Sequence, residues 1–308
     1  MLLKSLKIIV AKFPLRVVLI VPFVLQIFLT VGLVGYLSFR NGQKAVNELA
    51  DKLNYEASSR VVQHLDSYLE EPVEITKVNL DAIALGLIDI QDFDESGRYF
   101  WKQMQRYSLY GLGFFLETGK SINAGRFPIN NDVGIEEIII QDENIAQTYT
   151  YATDDQGNRT ELIFSQASDM GFYEDLIEKV ISTSQPIWTP IHALEEYPQF
   201  PATLLISPFY DHKDQLLGYF TVAVSLTGIT EFINTLEITP NAKTFIVERD
   251  GMLVASSTSN NPFIVVNGKA KHIAAIDSQE PITQGIAQYL QAKFGNFSNI
   301  QNSQQINL

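Results

Sequence analysis

The sequence of 308 residues has no cysteine, two tryptophans, four methionines and four histidines. Without thiols there are no disulfides and no thiolate zinc sites, although the compartment is left open. The histidines, His64, His192, His212 and His272, are scattered with no H-x-x-x-H pair, which argues against zinc. Basic residues are also scarce: 22 Lys and Arg stand against 35 Asp and Glu, a formal charge of −13. Five of the basic residues (Lys4, Lys7, Lys12, Arg16 and Arg40) fall in the first 40 positions, which hold no acid. The remainder carries 17 against 35, or −18. Such a surface disfavours nucleic acid, whose binding rests on neutralising phosphates, and is repelled by an anionic bilayer.

Catalytic signatures are equally thin. Gly119-Lys120-Ser121 has the end of a phosphate loop, but Phe114 stands where the first glycine belongs, between two short strand-like runs. Asp92-x-Asp94-x-Ser96-Gly97 starts like a calcium loop, but its twelfth position is Gln103, so a helix-capping turn explains it better. The pairs Glu136-Glu137, Asp154-Asp155 and Glu195-Glu196 read as solvated charge rather than acid/base machinery. No enzyme activity, metal or cofactor is expected from these residues. A membrane-tethered hydrolase would need histidine and carboxylates to converge in a cleft.

What the chain does contain is apolar: 46% hydrophobic and 11% aromatic residues, enough for a packed core. Val17–Phe39 is a run of 23 residues without a charge, and at ~1.5 Å per residue a helix of that length crosses a ~30 Å hydrocarbon core. It is longer than a signal-peptide core and no A-x-A site follows, so an uncleaved anchor is expected. The lysines and Arg16 before it place the N-terminus in the cytoplasm and the rest outside. Val46, Leu49, Leu53, Ala57, Val61, Leu65, Tyr68 and Leu69 then recur at helical spacing, and a weaker stripe beyond Pro72 runs to about Leu87. A long stalk helix, kinked at Pro72, is predicted.

Asp94-Glu95-Ser96 is read as the N-cap of a short helix through Tyr107. Strand-like runs follow at Gly111–Leu116, Ser121–Phe127, Glu137–Gln141, Ala146–Ala152 and Arg159–Ser165, with turn residues between them. Tyr173–Thr183 reads as a helix and Pro186–Thr189 as a strand. Within Ala202–Ser257 the even positions Phe220, Val222, Val224 and Leu226 are large and apolar. The odd positions Thr221, Ala223 and Ser225 are small or polar, with Tyr219 the exception. That alternation predicts a strand with one face against a helix and the other toward a half-polar cavity. Helices first, then an antiparallel meander with one embedded helix, make the fold class α+β. Ala270–Ile276 and Pro281–Phe294 look helical, and the Asn/Gln/Ser-rich end suggests a chain cut inside a second module.

This layout resembles the extracytoplasmic double Cache domain of bacterial membrane receptors. The likeness rests on the apolar helix, the stalk, and a PAS-like antiparallel sheet holding Pro208-Phe209-Tyr210-Asp211, Gly218–Leu226 and Phe245–Gly251. The resemblance implies a cytoplasmic tail (1–16), an anchor (17–39), a stalk with a membrane-distal sensor domain (40–260), and a linker opening a membrane-proximal module (261–308). It implies a homodimeric receptor in the cell inner membrane, its sensor domain extracytoplasmic or periplasmic, signalling through the stalk to a cytoplasmic output outside these residues. The amine-binding subset has Arg, any residue, Trp, Tyr on a helix and an Asp on a later strand. Here Met170 replaces the arginine, Phe172 the tryptophan and Ala223 the aspartate, while Tyr173 matches. An α-amino acid would lose both charge-assisted contacts, so the expected small-molecule ligand is not an α-amino acid. Tyr173, Trp188, Tyr219, Thr221, Ala223 and Ser225 are the expected pocket residues, with Arg126 as donor to an anionic ligand. The alternative is a constitutive dimerisation or partner-binding ectodomain, which an apolar plug behind Tyr219–Ser225 would favour.

Overall fold

The structure is a computed structural model and describes residues 14–127, 130–142, 145–169, 171–194, 197–236, 242–258 and 261–301. The chain divides into two compact units, Met1–Ser59 with Gln305–Leu308, and Arg60–Gln304. Helix α1, Leu15–Ala84, begins in the first and ends in the second. Its apolar start has an 18-residue window of mean hydropathy 2.2, long and apolar enough to cross a membrane. The helix runs through Pro72 without a break. Thr76 uses its hydroxyl to donate back to the Pro72 carbonyl at 2.8 Å.

The second unit is built on a nine-stranded antiparallel sheet. Its strands are β1 (Gly111–Leu116), β2 (Lys120–Arg126), β3 (Val133–Asp142), β4 (Ile145–Thr153), β5 (Arg159–Asp169), β6 (Ile187–Trp188), β7 (His192–Leu194), β8 (Tyr197–Tyr210) and β9 (Leu216–Ser225). The order is β5-β4-β3-β2-β1-β9-β8-β6, with β7 also on β8. First and last strands in sequence therefore meet in the middle, and β1 pairs with β9 as Gly111 with Ala223 and Gly113 with Thr221.

One face of this sheet carries the main core. Helix α2, Phe93–Met104, lays Phe100, Trp101 and Met104 against Leu112, Phe114 and Leu116 of β1, Ile122 of β2 and Phe220 and Val222 of β9. The expected helix is present, but its N-cap is Asp92, whose carboxylate accepts from the Glu95 amide at 2.9 Å. Asp94 and Glu95 sit in its first turn, where negative charge suits the exposed N–H groups. The capping turn thus accounts for the calcium-like motif. Ile75 of α1 joins the same core. Beside it Asn79, fully buried, forms a reciprocal amide bridge with Gln103: Nδ2 donates to Oε1 at 3.0 Å and Gln103 Nε2 donates back to Asn79 Oδ1 at 2.7 Å. The half-buried Gln103 amide thus satisfies the buried Asn79 amide, and the pair fixes α1 against α2.

A second cluster joins Val61, Leu65 and Tyr68 of α1 to helix α4 (Thr227–Thr235), through Leu226, Ile229 and Ile233. Tyr68 donates its hydroxyl to the Ser225 carbonyl at 2.6 Å, and burial, with Glu231 and Glu71 nearby, pushes its phenol up to about 12. Helix α3 (Gly171–Thr183) packs Ile177 and Val180 on the opposite face of the sheet, against Ile206 and Tyr219.

Beyond α4 lie the hairpins β10–β11 (Phe245–Val247, Leu253–Ser256) and β12–β13 (Phe263–Val266, Lys269–His272), and helix α5 (Pro281–Phe294). The α5 bounds match the sequence reading, with Pro281 in the first turn and the Glu280 carboxylate capping Thr283. The helix expected at Ala270–Ile276 is instead β13 followed by a 3-10 turn, Ala275–Asp277. Asn267-Gly268, both at positive φ (54° and 79°), form the tight turn that pairs Val266 with Lys269. Leu253, Ala275, Ala287 and Phe297 share one apolar cluster, which therefore draws on residues either side of 260.

Candidate functional site

The face of the sheet opposite α2, covered in part by α3, carries a row of polar residues. Along β9, Phe220 and Val222 are buried in the core with α2 and Val224 is buried on the same side, all at most 1% exposed. Tyr219, Thr221 and Ala223 project the other way and border a cavity of about 1270 Å³. The period-2 pattern thus separates core and cavity faces as the sequence implies. The walls of the cavity are the inner face of β1 to β5, Ile177 of α3, and His192, Phe200 and Leu204 from β7 and β8.

Pairing register lines up a polar row across its floor. Thr221 on β9 pairs with Gly113, Gly113 with Asn123, Asn123 with Glu136, and Glu136 with Thr150. Thr221 Oγ1 reaches Asn123 Oδ1 at 3.5 Å, over the strand that carries Gly113. Glycine is what permits this. A Cβ on Gly113 would lie 2.1 Å from the Ile122 carbonyl oxygen and 2.5 Å from Asn123 Oδ1. Asn123 Nδ2 also donates to Ser121 Oγ at 3.1 Å, and Thr150 Oγ1 stands 3.5 Å from Glu136 Oε1. Desolvation raises the Glu136 carboxyl above its ordinary value, opposed only by the Thr150 hydroxyl. Gly125 next to it has no side chain, and a Cβ there would be 4.0 Å from Glu136 Oε2.

The residues singled out from sequence fall in three places. Tyr219, Thr221 and Ala223 border the cavity together. Tyr219 is 2% exposed and donates its hydroxyl to Glu117 Oε1 at 2.9 Å, and its burial, together with that carboxylate, raises its phenol. Ser225 lies outside the cavity wall. Its hydroxyl is 2.7 Å from Thr227 Oγ1 at the start of α4. Trp188, on β6 opposite Leu205, is half-buried and likewise outside the wall. Tyr173 and Phe172 belong to the first turn of α3, but their side chains, and Met170 altogether, lie outside the described residues.

Arg126 borders the cavity, but most of its guanidinium is committed elsewhere. Nε donates to the Leu109 carbonyl at 3.0 Å, Nη1 to Asn131 at 3.4 Å, and Nη2 to Met104 and to Tyr107, the latter at 3.2 Å. Carbonyls at a helix C-terminus lack partners within the helix, and Arg126 satisfies those at the end of α2. The group expected to meet an anionic ligand therefore works here as a clamp on backbone.

Glu136, Asn123 and Thr150 were not among the expected site residues. Adjacent carboxylates in a strand must point to opposite faces. Glu137 accordingly turns to the α2 side of the sheet and an ion pair with Arg159, which also holds Asp94, while Glu136 turns to the cavity. Starting β3 at Val133 instead of Glu137 reveals that split. Among the described residues no three His, Asp or Glu side chains gather to hold a metal ion.

The sequence matches no protein-family model and no curated protein. Among solved structures, the chain is similar to the sensory domain of the Campylobacter jejuni chemoreceptor Tlp3 (TM-score 0.43, 12% identity, 70% of this chain and 73% of that one). It is also similar to the ligand-binding domain of the Pseudomonas aeruginosa PAO1 amino-acid chemoreceptor PctC in complex with GABA (TM-score 0.42, 14% identity, 68% of this chain and 78% of that one).

Proposed function

We propose that this chain is the membrane-anchored sensing region of a signal-transduction receptor, which binds a small solute on the face of its sheet opposite α2. The observation that carries the reading is the cavity of about 1270 Å³ floored by Thr221, Asn123, Glu136 and Thr150. A face meant only for packing would be apolar. This one spends glycines and hydroxyls where core side chains would otherwise stand. The role is binding, and the sensor of the double Cache layout is the family it resembles. The ligand is not a zwitterionic α-amino acid: Ala223 offers no charge, and Arg126, whose donors serve carbonyls, is poorly placed to take a carboxylate. A ligand-dependent shift would reach the Arg60–Ala84 part of α1 through Tyr68 on the Ser225 carbonyl and through the Asn79–Gln103 bridge. The stripe Val46, Leu49 and Leu53, 37–66% exposed and spaced by three and four, supports a homodimer through the stalk.

Thermal-shift measurements on the full chain in detergent, against a metabolite library of mixed charge, test the reading. A ligand at ~100 times its Kd adds about 2.7 kcal/mol, which raises the Tm of a domain this size by roughly 5–10 °C. No stabilising solute in any chemical class would leave the sensor role without support and turn attention to the partner-binding alternative.

The anchor is Val17–Phe39, with residues 1–16 in the cytoplasm and 40–260 forming stalk and sensor outside it, in the inner membrane. An alkaline phosphatase fused after Gly42, and another after Leu308, should both be active in a bacterial host. Inactivity at both positions inverts the topology.

A further inference from the structure

A carboxylate facing a cavity is a demand for a partner, and Glu136 has met little of that demand among the described residues. Among the described residues it makes no ion pair, and its one hydrogen-bond contact is Thr150 Oγ1 at 3.5 Å, the long limit for such a bond. Glu137 and Arg159 show what the same strand does with a carboxylate meant for structure: it is paired. The groups that register sets on either side of Glu136 are acceptors or convertible hydroxyls, namely Asn123 Oδ1, Thr150 and, beyond Gly113, Thr221. Asn123 already spends an N–H on Ser121, so its carbonyl oxygen is the end left toward Thr221 and the cavity. A row of oxygens around one carboxylate complements a group with several N–H donors and positive charge. The rest of the cavity wall agrees in sign. It carries Asp132, Asp154, Asp155 and Glu161, whereas its basic side chains are the clamped Arg126 and His192, whose imidazole is held toward the neutral form by burial.

Resting on the sensor reading above, we infer that the Glu136 row is a cation subsite, which takes the protonated amine or guanidine of a ligand that has no carboxylate beside it. The ammonium donates to Glu136 and, on its flanks, to Asn123 Oδ1 and the hydroxyl of Thr150 or Thr221. Gly113 and Gly125 give it room: the first lets Thr221 and Asn123 approach across β1, the second leaves space beside the carboxylate. A ligand carboxylate at the same place would meet Glu136 head on, like charge against like charge.

The test is isothermal titration of the full chain in detergent with probes of matched shape: benzylamine, benzyl alcohol and benzoate, with 1,4-diaminobutane and agmatine as further cations. At least one amine or guanidine should bind, at least tenfold more tightly than benzyl alcohol and benzoate. Glu136→Gln, nearly isosteric, should weaken that cation at least tenfold while the circular dichroism spectrum is retained, and Glu136→Asp should fall between. The unliganded Glu136→Gln protein should also melt at a higher temperature than the wild type, since the amide has no charge to desolvate. Benzyl alcohol or benzoate binding as tightly as the cations, or cation affinity unchanged in Glu136→Gln, overturns the cation subsite and leaves the sensor reading standing. Failure of every probe overturns the subsite as well, and only its combination with a silent metabolite library would overturn the sensor reading too.

Discussion

Replacing Phe114 with alanine is expected to remove about 3–5 kcal/mol of stability from the Arg60–Gln304 unit. Phe114 is fully buried and its ring meets three others edge-on, with centroids 5.8 Å from Phe93, 5.7 Å from Phe100 and 6.4 Å from Phe209. Each such pair adds roughly 0.5–1.5 kcal/mol beyond buried area. The void could not close cheaply, because β1 is hydrogen-bonded on both sides, to β2 and β9, and cannot shift inward. Against a total stability of about 5–15 kcal/mol for a domain, this single change decides between a folded and a largely unfolded protein. Urea denaturation followed by circular dichroism measures it. Phe114→Leu, which keeps most of the volume, should cost less than half as much. A loss under ~1.5 kcal/mol for the alanine variant would show that the four-ring cluster is not the centre of this core.

Arg126→Ala should cost about 2–3 kcal/mol, since hydrogen bonds from a charged donor contribute roughly 1.5–3 kcal/mol and this group is half-exposed. Four carbonyls, of Met104, Tyr107, Leu109 and Asn131, lose their donor at once. The cation also complements the negative end of α2. Arg126→Lys is an informative second variant: it keeps the charge but has a compact ammonium with three donors instead of a planar fork. It should recover less than half the loss. A role in anion recognition predicts something different, an unchanged melting temperature with selective loss of an anionic ligand. Thermal melts alongside titration with benzoate separate the two roles.

Much of the architecture was legible in local patterns. The apolar run Val17–Phe39 and the stripe after it prescribe a helix, because apolar side chains at three-to-four spacing can share one side only in that conformation. The structure bears this out as a helix continuous from Leu15 to Ala84. The alternation in Tyr219–Leu226 prescribes a two-faced strand, and the sides fall as expected, with Phe220 and Val222 in the core and Thr221 and Ala223 at the cavity. Pro281 at a first turn and Gly295, at φ 76°, after the last one mark out α5 within the chain itself.

Short apolar runs are less decisive. Ala270–Ile276 carries a pattern that suits a helix, yet hairpin pairing through Asn267-Gly268 draws its first residues into β13. Pro72 marks a break by local rule, but packing of Ile75 and the Asn79–Gln103 bridge keep the segment helical beyond it.

The amino-acid sequence by itself therefore determined the long apolar helix, the α+β class and which side of β9 faces the core, since each depends on the periodicity of neighbouring residues. The tertiary structure alone decided that Thr221, Asn123, Glu136 and Thr150 form one row, that Glu136 faces a cavity while Glu137 meets Arg159, and that Arg126 clamps the end of α2. Those arrangements join residues up to 98 positions apart, as Thr221 and Asn123 are. They follow from strand order and register, which hydrogen bonding between distant segments sets and which no local pattern encodes.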